Sequence, residues 1–130
     1  MRTPADSDPA AFADLTLATG WVGDQAVIAV CGEVDLATAP RLRAELELVR
    51  AAHPRAVSVD LSRAAFFDLP GVSALTRARW QLATDHAALQ VRGASPFHRR
   101  LLTLCGLAEL LDPPATRPTD PRRPVPPPTG

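Results

Sequence analysis

The side chains that could carry out catalysis are few in this chain. Nucleophilic catalysis needs a Ser, Cys or Thr within reach of a base. The three histidines, His53, His86 and His98, lie on or beside predicted helices, and no Gly-x-Ser-x-Gly turn is nearby. So little surrounds each histidine that a partly exposed structural role is the better interpretation. We therefore expect no catalytic residue and no enzymatic activity.

Metal and nucleotide sites are also poorly supported by the residue types. The two cysteines, Cys31 and Cys105, have neither Cys-x-x-Cys nor Cys/His spacing. All the basic residues other than histidine are Arg, and without a Lys the chain cannot form a Walker-type phosphate loop. Among the paired carboxylates, Glu45 and Glu47 fit a solvated helix face. We expect no metal and no cofactor.

Two loops place polar side chains at the start of a helix. The first, Cys31-Gly32-Glu33-Val34-Asp35, is an acidic glycine turn before a helix that we predict to be capped by Thr38. The second, over residues 60–72, leaves a buried strand, crosses an apolar stretch and meets a helix capped by Asp68. Because a helix N-terminus has unpaired N–H groups and a partial positive charge, such a junction can hold an anion or a partner's carboxylate. An ordinary capped junction is the alternative, and spacing alone favours it.

Apolar periodicity predicts the elements that position these loops. Strands are predicted over 12–19 and 25–31, joined by a turn at 20–24, and further strands over 56–61 and 88–92. Helices are predicted from Thr38 to 53, from Asp68 onward and from Ser95 to Gly106, and residues 107–111 fit either a short strand or a helical turn. The positions predicted to face the core are Leu42, Leu46, Val49 and His53 on the first helix, Val72, Leu75 and Leu82 on the second, and Phe97, Leu101, Leu104 and Cys105 on the third. This alternation predicts an α/β fold with a sheet covered by helices.

Composition is that of a single globular domain. The chain has 130 residues, of which 46% are hydrophobic and 22% charged, enough to fold without a disulfide or a metal. Fourteen basic and fourteen acidic residues cancel, which gives no electrostatic support for nucleic-acid binding. The longest clean apolar run, residues 26–31, is too short to cross a bilayer, and no signal peptide is visible. We expect a cytoplasmic protein.

The two ends of the chain are expected to lie outside the folded domain. Residues 1–11 lack apolar periodicity, and residues 113–130 include eight prolines and a single large apolar residue, Val125. Segments of this composition bury too little surface to offset the entropy of ordering. We predict a disordered N-terminus over 1–11, a folded domain over 12–112 and a Pro-rich disordered tail over 113–130.

Four segments of the domain resemble the STAS family, the anti-sigma factor antagonists of bacteria. Gly32-Glu33-Val34-Asp35 is similar to the family's G-E-[LVI]-D turn, and residues 57–62 resemble its central strand. The segment Phe66-Phe67-Asp68-x-x-Gly71-Val72 is similar in frame to its F-[MLIC]-D-S-S-G-[LIV] junction, and residues 95–107 resemble its last S-P-x-x-x-R-x-L-x-x-x-G-L helix. Each motif is weak alone, but four in register form a specific signal.

The resemblance implies a STAS-type mixed sheet of four to five strands with helices packed mainly on one side. It also implies a protein-binding regulator. In that family the junction docks on an anti-sigma factor with a kinase-like ATP-binding domain and controls sigma-factor-dependent transcription. Phosphorylation of a junction serine adds negative charge and releases the antagonist. The partner-binding residues implied in this chain are Glu33, Asp35, Thr38, Asp68, Leu69, Pro70 and Gly71.

The chain departs from the family at the switch itself. Leu69-Pro70 stands where the family has Ser-Ser. Leu69 has no hydroxyl, so no phosphorylation is expected there, and Pro70 has no backbone N–H. Leu69 could act as an exposed apolar anchor or turn inward and pack. Ser62, Ser73 and Thr38 have hydroxyls near this position and are candidates for control at another site, but proximity is the only argument for each of them.

Three functions stay open at this point. The first is a STAS module that binds an anti-sigma factor without the serine switch. The second is a STAS-like subunit of a larger assembly, such as a stress-signalling complex or the partner of a transporter ATPase. The third, an enzyme or small-ligand binder, has no convergent set of side chains to support it. We expect neither nucleic-acid binding nor membrane insertion, and self-association is left open.

Overall fold

The elements of the chain follow the predicted order β-β-α-β-α-β-α. A computed structural model describes residues 15–112, so the predicted disordered ends over 1–11 and 113–130 lie outside the described residues. The elements are β1 (Leu15–Val22), β2 (Gln25–Val34), α1 (Ala39–Ala51), β3 (Ala56–Phe67), α2 (Leu69–Thr84), β4 (Ala88–Arg92), α3 (Pro96–Leu104) and a 3₁₀ helix (Ala108–Leu110).

The four strands form one mixed sheet in the order β1-β2-β3-β4. β1 and β2 are antiparallel, whereas β2 with β3 and β3 with β4 are parallel. The turn between β1 and β2 is shorter than the predicted 20–24, because β1 continues to Val22 and only Gly23 and Asp24 connect the strands. Gly23 has a φ of +63°, which a glycine adopts without strain in such a hairpin turn.

One face of the sheet carries the hydrophobic core. Apolar residues at alternate positions of β2, β3 and β4 are buried there, so that Ile28, Val59 and Val91 lie side by side across these strands. Helices α1 and α2 contribute their apolar faces to the same core cluster. The buried helix residues include six that the periodicity predicts, namely Leu42, Leu46, Val49, Val72, Leu75 and Leu82.

His53 does not lie on the inward face of α1, as predicted. The helix ends at Ala51, and His53 follows with a φ of +56° and an exposed side chain. Pro54, which is buried, starts the path into β3. The apolar spacing therefore identifies the helix face correctly only as far as the helix extends.

β2 and β3 are longer than their apolar runs. β3 has twelve residues and stays paired with β2 up to the contact between Val34 and Phe67, instead of leaving the sheet after residue 61. Register shifts after Ala29 and after Gly32 accommodate this extension. Because backbone hydrogen bonds hold the strands together whatever the side chains are, polar residues do not end the pairing.

Helix α3 presents a different face to the core from the predicted one. Ser95 caps it as expected, its Oγ accepting a hydrogen bond from the backbone N–H of His98 at 3.1 Å. The buried residues are His98 and Leu102, whereas Phe97, Leu104 and Cys105 are exposed and Leu101 is half-buried. Phe97, Leu101 and Leu104 do share one side of the helix, as their spacing predicts, but the side turned to the core is the adjacent one that carries His98 and Leu102.

Residues 107–111 combine both predicted alternatives. Ala108–Leu110 form a 3₁₀ helix whose flanking residue Leu107 is buried together with Leu110. Leu111 then forms a parallel bridge with Val91. The last described residues therefore close the core along the β4 edge of the sheet.

Candidate functional site

The two loops singled out in the sequence meet in space. β2 and β3 are parallel neighbours, so their carboxyl ends lie at the same edge of the sheet. The backbone N–H of Asp68 donates to the carbonyl oxygen of Val34 at 3.2 Å, which ties the second loop to the first. The N-termini of α1 and α2 follow immediately. The sequence motifs thus form one surface, which we call the junction.

Thr38 occupies the N-cap position of α1, as predicted, but its side chain helps Asp35 to hold the acidic loop instead of capping the helix. The Asp35 carboxylate accepts hydrogen bonds from the backbone N–H groups of Ala37 at 2.9 Å and Thr38 at 3.0 Å. The Thr38 side chain makes no capping bond; its hydroxyl donates to the carbonyl oxygen of Glu33 at 2.7 Å and is buried. Asp35 and Thr38 therefore shape the loop, while Glu33 is exposed.

Asp68 precedes α2 but does not cap it with its side chain. Its backbone is extended, at φ −127° and ψ −172°, and only its carbonyl oxygen binds the helix, accepting from the N–H groups of Gly71 at 2.8 Å and Val72 at 3.1 Å. The carboxylate makes no hydrogen bond or ion pair within residues 15–112 and is exposed. Pro70 fits the first helical turn, where no backbone N–H is needed. The Asp68 carboxylate is therefore open to solvent at the start of α2.

Gly71 is buried beneath the junction. A Cβ atom at this position would lie 2.7 Å from the Phe67 ring and 2.8 Å from Cγ1 of Val34. A glycine here lets the first turn of α2 approach the ends of β2 and β3 closely. Gly71 thus sets how closely the start of α2 packs against the sheet.

Leu69 points into solvent, which excludes the inward-packed alternative. Its side chain is 56% exposed, and that of Leu36, in the acidic loop, is 82% exposed. Both line a groove of about 380 Å³ whose other walls are Ala39, Pro40, Arg43, Pro70 and Ser73. The sequence prediction missed Leu36. Its one signal is a large apolar residue in a polar turn, outside the periodicity of the neighbouring elements.

A second, larger groove continues from Leu69 along the outer face of α2. It has a volume of about 680 Å³ and ends at Trp80, whose side chain is 69% exposed. Leu69 and Ser73 line both grooves, so the two are continuous. The remaining walls are Val72, Thr76, Arg77 and Gln81. The prediction also did not include Trp80 among the site residues, although the inward positions predicted for α2, Leu75 and Leu82, leave Trp80 on the outer side of the helix.

His98 is the one buried histidine among the described residues. Its side chain is 5% exposed, and its ring meets the edge of Phe67 with the centroids 6.1 Å apart. Nδ1 has no hydrogen-bond partner within residues 15–112. Burial lowers the pKa of His98, because the charged imidazolium is poorly solvated there. The neutral ring thus supports Phe67, which in turn contacts Gly71.

We expect His98 to make the stability of the domain depend on pH. Since its pKa in the folded state is lowered, the unfolded chain binds more protons below the ordinary histidine pKa of about 6.5. The free energy of unfolding should therefore be fully maintained above that pH and fall as the pH decreases from 7 to 5. Urea denaturation at intervals of half a pH unit measures this slope.

The control for this experiment replaces a different histidine. His98→Phe should flatten the slope, whereas His86→Asn should leave it unchanged. His86 is exposed and has a φ of +61°, which Asn tolerates. Equal slopes for the wild type and His98→Phe would contradict the assignment.

Within residues 15–112, no group of three His, Cys, Asp or Glu side chains is arranged to hold a metal ion. Among the described helices, none is both long and apolar enough to span a membrane. The chemistry that the junction offers consists of exposed apolar side chains flanked by charges. Contiguous exposed apolar surface of this kind is typical of interaction sites and ligand-binding grooves.

Comparison with known proteins identifies relatives of this chain and of its fold. The family model described as "Mlab, STAS domain" matches residues 17–112. An anti-sigma factor antagonist from Mycobacterium paratuberculosis superposes with a TM-score of 0.70 at 29% sequence identity, covering 77% of this chain and 86% of that one. No curated protein sequence matches significantly.

Two more distant structures show the same fold. The anti-sigma factor antagonist SpoIIAA of Bacillus, in its unphosphorylated form, gives a TM-score of 0.66 at 20% identity, covering 75% of this chain and 86% of that one. A sulfate transporter family protein from Wolinella succinogenes gives 0.60 at 18% identity, covering 71% and 79%. The mixed four-stranded sheet with three helices is the predicted STAS architecture. Since the family match covers most of the sequence as well, the chain belongs to the STAS domain family.

Proposed function

We propose that this protein is a non-enzymatic regulatory module of the bacterial cytoplasm that docks through its junction on an anti-sigma factor with a kinase-like ATP-binding domain. By occupying that factor it would control transcription by the corresponding sigma factor. The observation that carries the proposal is the exposed Leu69, at the position where the family has a serine. The similarity to an anti-sigma factor antagonist at 29% identity supports the same class of partner.

The junction suits a protein partner in its shape and charge. Leu36, Leu69 and Pro70 offer apolar surface at its centre. The exposed carboxylates of Glu33 and Asp68 lie on the two loops that carry this apolar surface. Burial of the apolar centre supplies binding energy, while charges at the rim steer and orient the partner. We assign direct contact to Glu33, Asp68, Leu69 and Pro70, and positioning roles to Asp35, Thr38 and Gly71.

The same geometry supports binding without a phosphorylation switch at the helix start. Leu69 and Pro70 have no hydroxyl, and the Thr38 hydroxyl is buried and already donates to Glu33. A complex at the junction would therefore not be released by a phosphate at any of these three positions. We propose that docking is constitutive unless it is controlled at another site.

Leu69→Asp should weaken partner binding by about tenfold to a hundredfold, because an unpaired carboxylate would be desolvated in the interface. The tagged full-length chain is used as bait to isolate partners from an extract of the host, and the partners are identified by mass spectrometry. The affinity of the purified anti-sigma factor is then measured by calorimetry for both forms. The matched control is Leu104→Asp, an equally drastic change at an exposed leucine on α3, away from the junction. Unchanged affinity in a folded Leu69→Asp variant would rule out docking through the junction.

A second candidate is a permanent subunit of a larger assembly. It is favoured by the same Leu69-Pro70 pair, since a surface without a switch suits a constant neighbour. The identity of the recovered partner separates the two. A soluble kinase-like protein supports regulation, whereas a transporter ATPase or a stress-signalling scaffold supports assembly.

A further inference from the structure

The outer face of α2 carries a regular stripe of side chains beyond the junction. Leu69, Ser73, Arg77 and Trp80 are spaced by four, four and three residues, so they lie on one side of the helix, and all four line the larger groove. At a rise of about 1.5 Å per residue, Leu69 and Trp80 are about 16 Å apart along the helix axis. The small Ser73 leaves a depression between these two large apolar ends.

The groove is basic. The sixteen residues of α2 include two arginines and no acidic residue. Arg79 is paired with Glu109, but Arg77 forms no ion pair with any residue from 15 to 112. Arg43, which lines the adjoining groove on the α1 side, is likewise without an ion pair in the described part of the chain. Two guanidinium groups that have no ion-pair partner in the described part of the chain therefore flank an apolar channel.

We propose that the groove from Leu36 to Trp80 binds an amphipathic helix of the partner, with a carboxylate of that helix paired to Arg77. This deepens the proposed function and rests on it. A helix rises about 16 Å over eleven residues, so its apolar side chains at positions i, i+4, i+7 and i+11 match the channel between Leu69 and Trp80. An acidic residue on the flank of that helix meets Arg77, and a second one meets Arg43.

Charge distinguishes this occupant from the alternatives within the chain. The charged side chains that line the two grooves are Arg43 and Arg77, so a second copy seated with its own groove lining in this groove would bring arginine against arginine. Residues 113–130 carry three arginines and a single acidic residue, Asp120. Both occupants would place like charges in the groove, which costs binding energy. An acidic helix is the complementary ligand.

The test uses a displayed library of 16-residue helical peptides, selected against the full-length chain and, in parallel, against Arg77→Glu. Selection on the wild type should enrich apolar residues at i, i+4, i+7 and i+11 together with Asp or Glu on one flank. Selection on Arg77→Glu should enrich Lys or Arg at that flank. The best acidic peptide should bind Arg77→Glu about tenfold more weakly than the wild type. It should bind Arg100→Glu, at another unpaired exposed arginine of the described chain, with unchanged affinity.

Several results would overturn this inference. If no sequence is enriched, or if both forms select the same sequences, the peptide does not pair with Arg77. If the selected peptide binds Trp80→Ala with unchanged affinity, the end of the groove at Trp80 does not take part in binding. A dimer mass that Arg77→Glu abolishes would assign the groove to a second copy. If Leu69→Asp abolishes binding of the anti-sigma factor while Arg77→Glu and Trp80→Ala do not weaken it, the proposed function is supported and the binding of a partner helix in the groove is contradicted. If Arg77→Glu weakens binding of the anti-sigma factor and Leu69→Asp does not, docking through Leu69 is contradicted instead.

Discussion

Replacing Val59 by Asp should leave the domain unable to fold. Val59 lies on β3 in the middle of the sheet, fully buried between Ile28 and Val91. A carboxylate there has no hydrogen-bonding or charged partner, and removing it from water costs several kcal/mol, about as much as the whole stability of a small domain. Leu46→Asp on the buried face of α1 should have the same effect. Far-UV circular dichroism and limited proteolysis at 25 °C measure the outcome.

The control for this experiment is the same substitution on the other face of the sheet. Val27 lies on β2 next to Ile28 but points to the opposite side, where it is half-buried. Val27→Asp leaves its carboxylate access to water, so the variant should stay folded with a loss of about 1 kcal/mol. A soluble Val59→Asp protein that melts cooperatively would show that the buried face has been assigned wrongly.

The sheet and the first two helices are predictable because their patterns are long and consistent. The short strand over 88–92 alternates cleanly between apolar and polar residues, and α2 repeats its buried face over four turns. α3 has only nine residues, and its docking depends on His98, a residue that composition does not place in a core. The face of α3 is set by the Phe67 ring and by Leu107 beyond the helix, which are tertiary contacts that spacing does not contain.

The site is predictable where a motif marks it and not where packing creates it. Leu69 and Gly71 are predicted as site residues because they occupy positions of the F-[MLIC]-D-S-S-G-[LIV] motif. Leu36 becomes a surface feature only when its loop is docked. The caps show the same limit. Asp35 and Thr38 lie three residues apart and both carry oxygens that can cap a helix, and the path of the turn decides which carboxylate or hydroxyl reaches the free N–H groups.

Gly71→Ala should destabilise the domain by about 1–3 kcal/mol, as expected when a core is overpacked. Replacing Gly by Ala in a helix gains about 1 kcal/mol of helix propensity, so a net loss of stability would show that the steric overlap outweighs this gain. The new Cβ would meet two atoms of the Phe67 ring at 2.7 Å and Val34 at 2.8 Å. Phe67 has little room to retreat, because it is fully buried with its edge against His98. Urea denaturation at pH 7 measures the difference.

The matched control for Gly71 is Gly20→Ala. A Cβ at Gly20, on the exposed part of β1, meets no atom within 4 Å, so this variant should be as stable as the wild type or slightly more so. The first turn of α2 relieves the overlap at Gly71 only by moving away from β2 and β3, and this movement displaces Leu69 with it. Gly71→Ala should therefore also weaken partner binding at temperatures where the variant is fully folded, while Gly20→Ala should not. An alanine variant with wild-type stability and affinity would mean that the close contact between α2 and Phe67 does not position the junction.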